Sequence, residues 1–285
     1  MTAKQVIQEA LDRLKRSGEQ HIFLSDQSRV QLKSWTETAS DSQATSNLTD
    51  SLQSEERAVQ KKALSEGEGT TETKPSFLLT LPNSGKADQM IALKESYQSF
   101  SPNEKLLFGQ GSLEAQLLFL SEYPSADEFS RNTFYTGEVL KLMEKIFTAM
   151  GVVSSELYFS SLIKSQPLAL KWMQNPDQAS EGLTHSLEYL KHELAIVQPR
   201  VIVLLGASAY NTLFKDGSQK MPFETAQGQQ LSYRGIHLIP AVHPHYLLLK
   251  NTLESKYTFW QSMLTAMDLL KLPINEAQRN YFKKS

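Results

Sequence analysis

The chain has 285 residues, a formal charge of -2, 40% hydrophobic residues and no cysteine. That length holds one large domain or two small ones. Zero cysteines exclude disulfides, zinc thiolates and cysteine-ligated iron–sulfur clusters, and near-neutrality excludes a broad basic field, so a nucleic-acid contact would need a local patch. No apolar run reaches the length of a membrane span and the start carries no signal-peptide pattern, so a monomeric, cytoplasmic protein that does not engage membranes is expected.

Residues 1–35 read as an amphipathic helical segment. Val6, Ile7, Ala10, Leu11 and Leu14 fall at helical spacing, with Lys4, Arg13, Lys15 and Arg16 on other positions. Such a helix packs on a neighbour or binds a protein partner. Residues 36–75 are rich in Ser, Thr and Glu and poor in apolar residues, which reads as a disordered linker because too little surface can be buried to offset the ordering entropy. Residues 76–285 then form the organised domain.

Within that domain strands and helices alternate. Leu117–Leu120 is a short, dense apolar run and reads as a buried strand; it breaks at Ser121, Glu122, Tyr123, Pro124 and Ser125. Leu140, Met143, Ile146, Phe147 and Met150 mark a helix face that Gly151 ends. Residues 157–163 are a strand candidate running into Lys164-Ser165-Gln166-Pro167. Leu187, Leu190, Leu194 and Val197 mark a second helix, and Val201–Leu205 is an apolar strand of the kind buried on both faces of a parallel sheet. Gly206 turns into a third helix ending near Phe214. Residues 236–242 are the last strand, with His243-Pro244-His245 at its end, and residues 255–270 form a closing helix. The alternation predicts an α/β fold: a three-layer α/β/α sandwich with a central, mainly parallel four-stranded sheet.

Three polar groups follow separate strands: Glu122, Ser161 with Lys164, and His243. Parallel strands gather their C-terminal ends on one sheet edge, where ligands of open α/β sheets bind. A His-Pro after one buried strand and a carboxylate after another make that edge the candidate site.

Five segments in order carry a resemblance. FGQGSLEAQLLFLSEYPSADE is similar to an FGEG…VGEAPG pattern, FYTG to PFVG, YFSSLIKSQP to YITNVVKCRP, QPRVIVLLGASA to PKVIVALGATA and HPHYLLLK to HPSYLLR. These are patterns of the uracil-DNA glycosylase superfamily, of the family-4 type, and the resemblance covers Phe108 to Leu270. It implies a DNA repair enzyme that flips a base out of DNA and hydrolyses its N-glycosidic bond without a Schiff base. His243 then stabilises the departing base, and Glu122 stabilises the sugar cation and orients water. Tyr135 stacks on the base, with Ser161, Tyr123 and Ser121 lining it. Tyr246, Leu247 and Leu248 form the wedge that enters the duplex, while Lys250, Ser208 and Lys164 touch DNA.

The departures bear on activity. The family's four cluster-binding cysteines are absent, with Ser165 and Ser186 at the last two places, so no metal and no cofactor is expected. The base-reading Asn is Ser161, which offers fewer donors and acceptors. Ser121 and Ser125 replace two glycines and Tyr123 an alanine. Excision of uracil or another deaminated base is the expected function; the alternative is a glycosylase-fold protein that binds DNA or damaged DNA without excising a base.

Overall fold

A computed structural model of the protein describes residues 82–214 and 221–282. The segments expected as an N-terminal helix and a linker, residues 1–35 and 36–75, lie outside the described residues. Six strands form one mixed sheet: β1 (Gln110–Gly111), β2 (Leu117–Ser121), β3 (Tyr158–Ser161), β4 (Val201–Leu205), β5 (Leu231–Tyr233) and β6 (Ile236–Ala241). The sheet order is β1-β3-β2-β4-β6-β5. The four inner strands are parallel and match the expected four-stranded core, while β1 and β5 add antiparallel edges. Every residue of β2 and β4 is buried, as their unbroken apolar runs require in a sheet covered on both faces.

Ten α-helices lie among the described residues: α1 (Lys86–Phe100), α2 (Ala126–Arg131), α3 (Gly137–Met150), α4 (Gln166–Gln174), α5 (Ser180–Val197), α6 (Ala207–Leu213), α7 (Phe223–Ala226), α8 (Pro244–Lys250), α9 (Leu253–Leu270) and α10 (Glu276–Arg279). α3, α8 and α9 pack together as one layer; α1, α4 and α5 pack together as another. β3 shows how period 2 divides its side chains between them. Phe159 meets Phe147 of α3 at 5.8 Å, whereas Tyr158 and Ser160 donate hydrogen bonds to Glu193 of α5 at 3.0 and 2.7 Å. None of these helices is long and apolar enough to cross a membrane.

The inner register sets the level of the candidate groups. Ser121 pairs with Ser161 and Leu205 with Ala241. β2 and β6 flank β4, so the residues following them emerge on one edge about 10 Å apart, two strand spacings.

Candidate active site at the C-terminal sheet edge

Glu122 follows β2 and is 8% exposed. Its Oε1 accepts two hydrogen bonds, from Trp172 Nε1 of α4 and from Thr212 Oγ1 of α6, each at 2.9 Å. Neither donor stands out in the sequence, because they lie 50 and 90 residues away. Its backbone carbonyl accepts from Ile163 N at 2.8 Å, which ties the end of β2 to the segment after β3.

The loop between Glu122 and α3 is shaped by a second carboxylate, also missed. Ser125 caps α2 by accepting from Glu128 N, and Glu128 Oε2 accepts from Ser125 N at 2.6 Å, a capping box. The S-x-x-E spacing was the available signal. Glu128 Oε1 accepts from Tyr135 N at 2.7 Å and holds Tyr135 at a φ of 56°, a conformation a bulky residue adopts only when its surroundings enforce it. The Tyr135 ring is buried edge-on against Phe159 at 5.4 Å. Burial first, and the Glu128 charge second, raise its phenol well above the ordinary tyrosine range. Tyr123 is half-buried and packs on the core, and Ser121 is buried with its hydroxyl donating weakly to Ser160 O at 3.4 Å.

His243 caps α8 from the end of β6. Its Nδ1 accepts from His245 N at 3.3 Å, so the neutral ring carries its proton on Nε2. Burial, with the neighbouring His245 second, lowers its pKa from 6.5 to about 4, and the two rings lie nearly parallel with centroids 5.2 Å apart. Gly206, between the ends of β2 and β6, has a φ of +99°, and a Cβ there would sit 3.5 Å from that of His243. That separation is ordinary van der Waals contact, so the positive φ is what a side chain at this position would strain. The arrangement offers a neutral N–H donor and an anchored carboxylate on one edge.

Other expected contacts fall differently. Ser161 is fully buried and its hydroxyl donates to Ile163 O at 2.9 Å, so a base cannot reach it in this conformation. Lys164, expected at DNA, is corrected: it is 0% exposed, and its Nζ donates to Ser160 Oγ, to Ser161 O and, at 2.8 Å, to Glu193 Oε2. Burial lowers its pKa and the Glu193 charge opposes that. The expected wedge also divides. Leu247 is a 4% exposed core residue and is corrected, whereas Tyr246, Leu248 and Leu249 are 45%, 38% and 53% exposed. Helical spacing turns Leu247 inward and the missed Leu249 outward. Lys250 lies over the Tyr246 ring at 5.9 Å, and Ser208 is exposed on the first turn of α6.

The iron–sulfur cluster of the family-4 type does not fit this chain. Ser165 Oγ accepts from Leu168 N as the cap of α4. Ser186 Oγ accepts from Lys164 N at 3.2 Å and from Tyr97 OH at 3.3 Å. Both serines are buried, and the ring of Tyr97, whose hydroxyl meets Ser186, packs with those of Phe108 and Tyr189 at centroid separations of 5.0–5.9 Å. The donors there are hydroxyls already engaged in hydrogen bonds, which are poor ligands for iron.

Comparison with known proteins gives the family of this domain. A DNA polymerase of Bacillus phage SP01 is 25% identical over 147 residues, 51% of this chain and 15% of the polymerase. A type-4 uracil-DNA glycosylase of Archaeoglobus fulgidus is 27% identical over 106 residues, 37% of this chain and 51% of that protein. The corresponding protein of Saccharolobus solfataricus is 24% identical over 114 residues, 40% of this chain and 50% of the relative. The chain thus spans about half the length of these two glycosylases. The family model of the uracil DNA glycosylase superfamily matches residues 108–264, more than half of the sequence and the whole sheet from β1 to β6, and the chain belongs to that superfamily.

Proposed function

We propose that this domain hydrolyses the N-glycosidic bond of uracil, or of another deaminated base, in DNA. The observation that carries the reading is His243: a neutral ring whose Nδ1 is occupied by His245 N–H and whose pKa of about 4 leaves an Nε2–H donor at every physiological pH. As the bond between C1′ and the base breaks, its electron pair leaves with the base. A fixed donor stabilises that charge without first losing a proton. Glu122 stabilises the positive sugar and orients the water that attacks C1′. Tyr135 and Tyr123 line the base, and the exposed side chains of Tyr246 and Leu248 enter the duplex. Lys250 and Ser208 contact phosphate. The names of the relatives, a DNA polymerase and uracil-DNA glycosylases, support DNA as the partner.

The test is release of free base from labelled oligonucleotides carrying uracil, hypoxanthine, xanthine or a mispaired thymine, single- and double-stranded. Release from at least one substrate is expected.

One observation favours a second reading, a domain that binds DNA without excision. The Ser161 hydroxyl is sealed against Ile163 O, leaving the base edge without the reader that an Asn would supply. Salt-sensitive binding of every oligonucleotide with release from none would select it.

A further inference from the structure

We infer that Trp172 and Thr212 are positioning residues that hold Glu122 in one orientation for hydrolysis; this rests on the proposed glycosidic chemistry. A glutamate side chain rotates about three bonds, and a catalytic carboxylate is effective only when its attacking-side oxygen is fixed. Here both donors converge on Oε1, at 2.9 Å each, from two different helices. Their geometry fixes the plane of the carboxylate. Oε2 accepts no hydrogen bond among the described residues and is the oxygen left for a water.

The surroundings of the two donors support a positioning role. Trp172 is half-buried on α4 between Leu170 and Met173, which are 49% and 54% exposed. Its indole packs against the margin of the core and directs its N–H to Glu122 from a helix segment whose neighbouring apolar side chains face solvent. Thr212 lies on the last turn of α6, the helix opened by the Gly206 turn beside His243. The same short helix thus lies between the carboxylate after β2, which Thr212 meets, and the histidine after β6, which Gly206 adjoins.

Three variants separate this role from plain packing. Thr212→Val keeps the shape and removes the donor, Thr212→Ser keeps the donor, and Trp172→Phe removes the indole N–H. Single-turnover base release is measured beside the Kd for the same duplex. Thr212→Val and Trp172→Phe are expected to slow release by about 10–100-fold with Kd within about 2-fold of wild type, and Thr212→Ser to restore the rate. Wild-type rates in both Thr212→Val and Trp172→Phe, with Glu122→Ala inactive, would overturn the inference. Equal losses in rate and Kd would also overturn it.

A second readout stands apart from activity. The Trp172 indole N–H signal, identified by its loss in Trp172→Phe among the three tryptophans, reports the contact by NMR. It is expected to shift and to exchange faster with solvent in Glu122→Ala. If the wild type releases no base, the proposed hydrolysis fails; an unchanged indole signal in Glu122→Ala then overturns the clamp as well, whereas the expected shift retains it as the device that orients Glu122.

Discussion

Two regions of this domain bury ionisable groups, and they use them in opposite ways. Between β3 and α5, Lys164 and Glu193 are both fully buried and paired at 2.8 Å, and Glu193 also accepts from Tyr158 and Ser160. At the sheet edge, among the described residues, Glu122 has donors on one oxygen only, and half-buried His243 has Nδ1 occupied and Nε2–H directed to no partner. A buried charge whose partners are all supplied internally is a structural group, costly to leave without its partner. A group that keeps one polar atom unspent at the sheet edge is available to something that arrives from outside.

The interior pair should break most expensively. Lys164→Met leaves Glu193 buried without its counter-ion and is expected to cost about 3–5 kcal/mol in chemical denaturation. Adding Glu193→Leu should recover only part of the loss: it removes the unpaired buried charge but takes the acceptor from the Tyr158 and Ser160 hydroxyls. A Lys164→Met protein as stable as wild type would show the pair to be dispensable.

The wedge helix sharpens the same contrast on adjacent residues. Leu247→Ala removes a buried side chain and should cost about 2–5 kcal/mol. Leu249→Ala, at an exposed position, should change stability by less than about 0.5 kcal/mol while weakening engagement of duplex DNA relative to single strands. Equal stability losses in the two variants would contradict the assignment of faces.

The smallest effect is in the pH dependence of stability. His243 titrates near 6.5 unfolded and near 4 folded, so between those values the unfolded state binds more protons. Its contribution to stability is complete above about pH 6.5 and is lost as pH falls toward 4. His243→Asn should remove about 1–2 kcal/mol of that loss between pH 6.5 and 4, allowing for solvent at a half-buried ring. An unchanged slope would place the acid sensitivity elsewhere.

The parallel core was legible because β2 and β4 are short, dense apolar runs alternating with helical patterns, as strands of a doubly covered sheet are. The edge strands β1 and β5, two and three residues long, are too short to show periodicity. The strand candidate over residues 157–163 stops at Lys164-Ser165-Gln166-Pro167 and no helix is expected after it, although Ser165 and Pro167 form a helix-start signal for α4, a side-chain cap followed by Pro in the first turn. Lys164 was misassigned because its partner, Glu193, lies 29 residues on, and local sequence does not say whether a residue at a strand end turns toward the opening or back into the layer behind it. Trp172 and Thr212 escaped notice for the same reason at longer range. His243 and Glu122 were legible as candidates because each directly follows a strand that the pattern had already located.

The most direct test of the proposed chemistry compares His243→Ala with wild type in single-turnover base release and in Kd for the same DNA. Loss of one preorganised donor is expected to slow release by about 10²–10³-fold, with Kd nearly unchanged. Release at the wild-type rate, or a Kd that weakens as much as the rate falls, would contradict a role for His243 in stabilising the departing base.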